Sequence, residues 1–600
     1  MIFFLVSSMF SCQSPTVQNR DIAQAIPVQE KTGRHFIITV HGFRGSKRNF
    51  GELENVLIPH LKKLHPNIDY SFLQFNYASG SGEDIFDLSY LNLSRFLREN
   101  IKNPTLNDSI IFIAHSQGGI VTEVWKAGAQ YGLIADQKYA DVTNDKIYTA
   151  ITDQVITLGT PFWGSNQAKL ALDLNILKPN FNHELMGLVF NSDLILWMRH
   201  LAVSISDRND DVTQYTNIAG IASNKNDKLY YRNELIRGGL PQILANTSKF
   251  LFRGWFKRHS FSSEKIQSNK IDQFESDLTV IIPSTRTSFY YLDKKISCED
   301  EVIDSEEFKQ VSLFKPARFI LTEALHSAFV TKRTKSLASV PGFCIDPEKC
   351  THPSYRYILN LIANCENQTC DQLAKTNILD KIFEVNRIDN DYNKILTAGI
   401  QLQGFTLDLS IQVPIDYELP EKYYRQLPYT DSKTVTVNED GEEVLTVRRQ
   451  IKPERDLRFK DKQLVREIVK LDKLKISEDL SDVIDVKIIR RREGMSGLIC
   501  WGNDTSCSRG HELRLHITGW IKPKSIEAIK KYQSALEEKF KNGLTLPLTI
   551  ELPPSEKYPF KKISLMSRVR PGFSTFAKLN FLEAENCTTR FGAPKMKQGF

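Results

Sequence analysis

The stretch Ser109-Ile110-Ile111-Phe112-Ile113-Ala114-His115-Ser116-Gln117-Gly118-Gly119 decides how this chain is read. Its first half is apolar and β-branched, as a strand buried on both faces must be. Gly118 and Gly119 then let the backbone reverse without side chains colliding. From Ile120 to Ala135 the residues Val121, Trp125, Ala127, Ala129 and Leu133 recur at roughly helical spacing. A strand, a sharp turn and a helix are therefore expected, with the hydroxyl of Ser116 at the apex, where a nucleophile is presented.

Upstream, Arg34 to Val40 (RHFIITV) is a short apolar run that ends in His41-Gly42-Phe43-Arg44-Gly45. Downstream lies Val155-Ile156-Thr157-Leu158-Gly159-Thr160-Pro161-Phe162-Trp163-Gly164-Ser165. In this order the three segments resemble α/β-hydrolase lipases. AHSQGG is similar to their nucleophile elbow, with Ala114 where GxSxG has its first glycine. The His41-Gly42 turn looks like their oxyanion loop, and LGTPFWGS resembles LGTPHxGS, with Phe162 in place of the common histidine. The resemblance implies an α/β fold, a mostly parallel sheet flanked by helices, with a cap or lid inserted over about residues 166–270. It also implies Ser116 as nucleophile and an oxyanion hole made by the main-chain N–H groups of Phe43 and Gln117.

That fold demands the order serine, acid, histidine. Glu275 to Ser284 (ESDLTVIIPS) looks like the SDGVVP-type segment of these lipases, which implies Asp277 as the acid; Leu278 and Thr279 stand where the family has glycine and valine. Asp272, Glu275 and Asp293 remain alternative carboxylates, and Gln214 to Gly220 is the expected preceding strand. His326 follows the apolar run of FILTEALHSAF and is the expected general base. Thr351 to Ile362 resembles the HPxVYxxIxxxL helix that follows the catalytic histidine, which implies a surface position for His352, the rival base. His115 is expected to pack beside the serine. In such a site His326 takes the proton of Ser116 and returns it to the leaving group, while Asp277 fixes the tautomer and stabilises the imidazolium. His183, His200, His259, His511 and His516 lack ligand-like spacing with cysteine or carboxylate, so neither a metal nor a cofactor is expected.

The amino terminus reads as an export signal. Ile2 to Val6 is apolar but far short of the roughly twenty residues of a membrane span. Ser11-Cys12 resembles the lipobox of bacterial lipoproteins, which implies lipidation at Cys12, a linker over residues 13–30, and anchorage in the periplasm or cell envelope. An ordinary cleaved signal that happens to contain cysteine is the alternative. Without Cys12 the nine cysteines leave an even set. Cys344 with Cys350, Cys365 with Cys370 and Cys500 with Cys507 are close candidate pairs, with Cys298 and Cys587 left for a long bridge, as an oxidising compartment permits.

A chain of 600 residues exceeds one ordinary domain. The lipase-like features set a first domain at residues 31–390. Beyond it, Gln401–Pro414, Lys433–Arg449, His511–Ile521, Leu544–Leu552 and Lys561–Val569 alternate like strands, and Ser525–Asn542 reads as a helix. Residues 391–600 are thus expected to form a mostly-β, sandwich-like accessory domain. The apolar stretches His183–Leu201 and Ile243–Phe256 read equally as a lid that meets lipid or as a cap packed on the core. A formal charge of +7 slightly favours an anionic membrane surface and does not call for nucleic acid. Arg490-Arg491-Arg492 reads as a solvated face. The expected function is hydrolysis of carboxylic esters, of lipids above all, through an acyl-enzyme. The same machinery acting on acylated proteins, glycolipids or thioesters is one alternative, and a non-catalytic envelope binding protein on a hydrolase scaffold is another.

Overall fold

The apolar runs around Ser116 become the middle of a parallel sheet in the computed structural model of the protein. The structure describes residues 31–78, 83–134, 136–165, 168, 182–206, 211, 213–220, 277, 279–296, 301–313, 317–322, 324–326, 336–346, 349–363, 404–414, 429–437, 443–451, 468–470, 484–499, 508–523, 542–552 and 562–581. Strands β1 (Arg34–Val40), β2 (Asp69–Phe75), β3 (Ser109–His115), β4 (Thr152–Leu158) and β5 (Gln214–Gly220) come first. Three strands then lie elsewhere, β6 (Ser288–Lys295), β7 (Glu301–Ile303) and β8 (Lys309–Ser312), before β9 (Ala317–Thr322) returns. The sheet order is β2-β1-β3-β4-β5-β9, with every neighbouring pair parallel.

The helices are α1 (Leu53–Leu64), α2 (Ser94–Asn100), α3 (Gln117–Tyr131), α4 (Lys146–Ala150), α5 (Asn182–Gly187), α6 (Asp193–Ile205), α7 (Ile282–Thr285) and α8 (Tyr355–Ala363). Alternation along the central strands assigns each face its helices. Ile37, Ile111, Ile113 and Ile156 pack with α1 and α8. Ile38, Ile110 and Phe112 pack with Val121, Val124 and Trp125 of α3 on the other side. Burial on both faces is why β3 shows no polar alternation before its last residue. This is an α/β-hydrolase fold.

Helix α3 stops at Tyr131, four residues before the expected end at Ala135. Gly132 takes a left-handed conformation at φ 67°, and its N–H donates to Gly128 O at 3.0 Å, closing the helix as only a residue without Cβ does cheaply. One residue within α3 works against stability. Glu123 is buried, and neither carboxylate oxygen has a hydrogen-bond partner among the described residues. Lys126, on the next turn, donates to Asp211 and Thr213, both at 2.7 Å. Burial pushes the Glu123 carboxyl well above its ordinary value of 4.5, against the pull of Lys126. The folded state therefore holds a proton that the unfolded chain releases, so Glu123 costs stability increasingly as pH rises above 4.5. Glu123→Gln is expected to raise Tm by a few degrees at pH 8 and to change it little at pH 4. Calorimetry at the two pH values checks this; a lower Tm at pH 8 contradicts it.

The later strands are β10 (Gly404–Pro414), β11 (Tyr429–Val437), β12 (Glu443–Ile451), β13 (Val469–Lys470), β14 (Ile484–Ile499), β15 (Ser508–Pro523), β16 (Leu544–Ile550), β17 (Ile563–Val569) and β18 (Ser574–Asn580). They form a six-stranded mixed sheet, β14-β15-β10-β18-β6-β8, a four-stranded sheet, β13-β16-β17-β7, and the hairpin β11-β12. Phe405, Leu407, Leu409, Ile411 and Val413 of β10 share one core with Leu544, Leu546, Leu548 and Ile550 of β16, which makes the two larger sheets a sandwich. Strands β6 to β8, inside the span expected for the first domain, hydrogen-bond into this sandwich. The helix expected at Ser525–Asn542 lies almost wholly outside the described residues, as do Cys12, Cys298, Cys365, Cys370, Cys500, Cys507 and Cys587. Cys344 and Cys350 are disulfide-bonded.

Of the two proposed lid segments, Ile243–Phe256 falls outside the described residues. In the other, Leu185, Leu188, Leu194, Ile195, Leu196, Met198 and Leu201 are buried, and Met186 at 57 % is the exposed exception. This part is a cap packed on the core. Among the described residues no helix is long and apolar enough to cross a membrane.

Candidate active site

Three strand ends and two glycines shape the turn at Ser116. Ser116 lies between β3 and α3 at φ 57° and ψ −127°, a conformation that costs a non-glycine residue about 1–3 kcal/mol. Its N–H donates to Leu158 O at the end of β4 (2.9 Å), and its carbonyl accepts from Gly119 N–H (3.1 Å). A Cβ on Gly42, in the loop after β1, would lie 2.6 Å from the Ser116 Cβ, so the loop passes directly against the hydroxyl only because it carries glycine there. Gly118 plays the same part beneath, against the carbonyls of Val40 and His41.

Asp277 and His326 meet this hydroxyl from beyond β5 and β9. The Nδ1–H of His326 donates to Asp277 Oδ2 at 2.7 Å, which leaves Nε2 to accept from the Ser116 hydroxyl at 2.8 Å. Asp277 Oδ1 accepts from the N–H groups of Thr279 (2.9 Å) and Val280 (2.7 Å), so each carboxylate oxygen is engaged. The main-chain N–H of His326 donates to Asp277 O at 3.0 Å. Asp277 is wholly buried, while Ser116 and His326 keep 8 % and 6 % exposure. Gly159 of the LGTP segment, at φ 61°, makes the room: a Cβ there would lie 2.7 Å from Asp277 Oδ2.

The rival residues that the structure describes stand elsewhere. Asp293 is exposed on β6 and accepts from the Tyr291 hydroxyl (2.9 Å); Asp272 and Glu275 lie outside the described residues. His352 is not on the surface, contrary to expectation, but fully buried. Its Nδ1 accepts from the N–H groups of Ser354 (3.3 Å) and Tyr355 (3.1 Å) at the start of α8, where a helix needs outside acceptors. Burial pulls its pKa down to about 3.

Gln117 follows the serine directly, and the loop that carries Phe43 passes against it at Gly42. Gln117 is the first residue of α3, so its N–H has no acceptor within the helix and sits at the positive end of the helix dipole. Its side-chain amide donates to buried Glu184 of α5 at 3.2 Å, tying the cap to the elbow. The loop bearing Phe43 starts from His41, whose ring stacks on Tyr77 at 4.0 Å and whose carbonyl accepts from the Tyr77 hydroxyl at 2.7 Å.

A family model described as "Putative serine esterase (DUF676)" matches residues 30–193, the span that carries the His41-Gly42 loop, Ser116 and the LGTP segment. Ester hydrolysis is the class of chemistry this match supports. No curated protein matches in sequence. Among solved structures, phospholipase PlaB from Legionella pneumophila is 13 % identical with a TM-score of 0.47, over 91 % of this chain and 93 % of that one. Lipase BlEst2 from Bacillus licheniformis, in mature form, is 20 % identical with a TM-score of 0.25, over 44 % of this chain and 82 % of that one.

The loop that follows Asp277 is tied both to the LGTP segment and to the sandwich. Ser284 donates to Gly164 O (2.5 Å), Ser165 to Thr279 O (2.9 Å), and Ser574 of β18 to Pro283 O (3.1 Å). A fully buried charge cluster lies beside it: Arg199 of α6 pairs with Asp408 of β10, and Asp408 Oδ1 accepts from His516 Nδ1–H of β15 at 2.6 Å. Of these residues only His516 stands out in the sequence, and there as a histidine without ligand-like spacing. The one available signal was an acid at an alternating position within FTLDLSIQV, a pattern also shown by solvated strands. Among the described residues no group of three His, Cys, Asp or Glu could hold a metal ion.

Proposed function

We propose that the protein cleaves carboxylic esters of lipids through an acyl-Ser116 intermediate. The observation that carries this reading is His326 with Nδ1 at 2.7 Å from Asp277 and Nε2 at 2.8 Å from Ser116. In the first half-reaction Ser116 Oγ bonds to the ester carbonyl carbon while His326 Nε2 takes the hydroxyl proton. The N–H groups of Phe43 and Gln117 receive the oxyanion, each donor being worth about 2.7–4 kcal/mol in comparable sites. The C–O bond then breaks, and the leaving alcohol takes the proton from His326. Water repeats the sequence on the acyl-enzyme and releases the acid. Asp277 holds the Nδ1–H tautomer throughout and stabilises the imidazolium.

The lipid reading is supported by the lipase resemblance of the three loops. Together with the lipobox-like Ser11-Cys12, it makes an envelope-anchored enzyme our reading of where the chemistry occurs. Fatty-acid release from phospholipid vesicles, measured for wild type, His326→Ala and His352→Ala, tests it. His326→Ala is expected to lose at least about 10³-fold in kcat. His352→Ala, which removes a buried cap, is expected to lower Tm but to keep turnover per folded molecule within a few-fold. Undiminished release by His326→Ala overturns the assignment of the base. Release by no form, with p-nitrophenyl esters still cleaved, overturns the lipid substrate.

A further inference from the structure

His326 is held by more than its ring. Its main-chain N–H goes to Asp277 O at 3.0 Å, and its main-chain carbonyl accepts from Nε2 of His115 at 2.6 Å. His115 is the last residue of β3, directly before Ser116, and is buried with its ring centroid 4.8 Å from that of His326. One strand end, paired on both sides within the sheet, therefore carries both the nucleophile and the donor that grips the backbone of the base. The segment bearing His326 has a third tie in the Leu337 N–H bond to Leu325 O at 2.9 Å, but that bond leaves the His326 carbonyl itself to His115.

We propose that His115 is a positioning residue, whose Nε2–H clamps the His326 main chain and so keeps the imidazole within hydrogen-bond reach of Ser116. The inference rests on the reading of Ser116, His326 and Asp277 given above. Geometry gives the clamp its leverage: the base must stay about 3 Å from the hydroxyl, and a misplacement of about 1 Å costs about 100-fold in rate. A neutral donor suits the place. Burial and the neighbouring His326 hold the pKa of His115 down to about 3, so it adds no positive charge beside the imidazolium that forms in each half-reaction. A lysine or arginine donor would add that charge permanently. If His115 only filled space, any side chain of matching volume would serve; a clamp requires the N–H.

Two substitutions separate these roles. His115→Gln keeps an amide donor at similar reach, whereas His115→Met fills the cavity without one. Steady-state turnover of p-nitrophenyl butyrate, fluorophosphonate labelling at Ser116 and Tm are measured for wild type and both variants. The Met variant is expected to lose about 30- to 100-fold in kcat and in labelling rate with KM within threefold, and the Gln variant to recover to within fivefold of wild type. Should the Met variant not fold, His115→Asn, whose amide is too short to reach His326 O, is read in its place. A Met or Asn variant with kcat within threefold of wild type overturns the clamp, and so does a Gln variant that falls as far as Met at equal Tm. Wild type that is not labelled at Ser116 overturns the parent reading instead, so the two failures are distinguishable.

Discussion

Ser116→Ala is expected to lower kcat/KM for p-nitrophenyl esters by roughly 10⁴- to 10⁶-fold, with Tm moved by no more than a few degrees. The size follows from what the hydroxyl does. In the proposed mechanism it is the atom that forms the bond, and without it His326 and Asp277 would have nothing to activate except an unpositioned water. The fold should tolerate the change, because the strained turn is held by main-chain bonds to Leu158 and Gly119 and by the glycines beneath it, none of which uses the hydroxyl. Residues acting as a unit are strongly non-additive, so adding His326→Ala to Ser116→Ala should cost less than a further tenfold. Parallel kinetics on the two single variants and the double variant check this. Equal rates in wild type and Ser116→Ala would end the acyl-enzyme reading.

Asp408→Ala gives the largest expected loss of stability, about 3–5 kcal/mol, because it strands the Arg199 guanidinium in a site with no exposure. Arg199 also donates to Asn191 Oδ1 (2.9 Å) and lies 4.6 Å over the Phe576 ring of β18, but neither contact neutralises its charge. Burial pushes the Asp408 carboxyl up, yet Arg199 and His516 outweigh it and hold the pKa below the usual 3.8. Depression of a carboxyl pKa on folding means that this stability is present above pH 3.8 and is lost as pH falls toward the folded value. Denaturant melts at pH 7 measure the effect. Asp193→Ala is the control: its pair with Arg514 has the carboxylate side chain 91 % exposed, so it should cost no more than about 1 kcal/mol. A loss from Asp408→Ala no larger than that of the control would show that the buried pair does not hold α6 to the sandwich. Replacing both partners by apolar residues, Arg199→Met with Asp408→Leu, should recover much of the loss.

The elbow was legible because close backbone approach leaves little choice of residue. Gly42, Gly118 and Gly159 stand where any Cβ would strike Ser116, the backbone of β1 and the loop after it, or Asp277, so the loops announce themselves locally. The central strands were legible for a related reason: a sheet covered on both faces needs continuous apolar runs. His352 misled because a histidine before a helix looks the same in sequence whether it caps that helix in water or under the core. The end of α3 was overrun because Leu133 continues the apolar spacing beyond Gly132, while the left-handed turn there is a property of the folded backbone. The burial of the even positions of β10 was not legible at all. Thr406, Asp408, Ser410 and Gln412 have the alternation of a strand with one wet face, yet all four are buried.

The sequence by itself determined the parallel sheet, the turn that carries Ser116 and, through the resemblance, Asp277 and His326 as the residues to look for beyond it, since each depends on residues near one another in the chain or on a fixed topology. Only the tertiary structure decided that Asp277 and His326 reach the Ser116 hydroxyl, that residues 288–312 join the C-terminal sandwich, and that the cap is pinned to that sandwich by Arg199, Asp408 and His516. The physical reason is range. Backbone conformation and hydrophobic periodicity are written over a few residues, whereas the burial of a charge depends on which distant side chains arrive to compensate it.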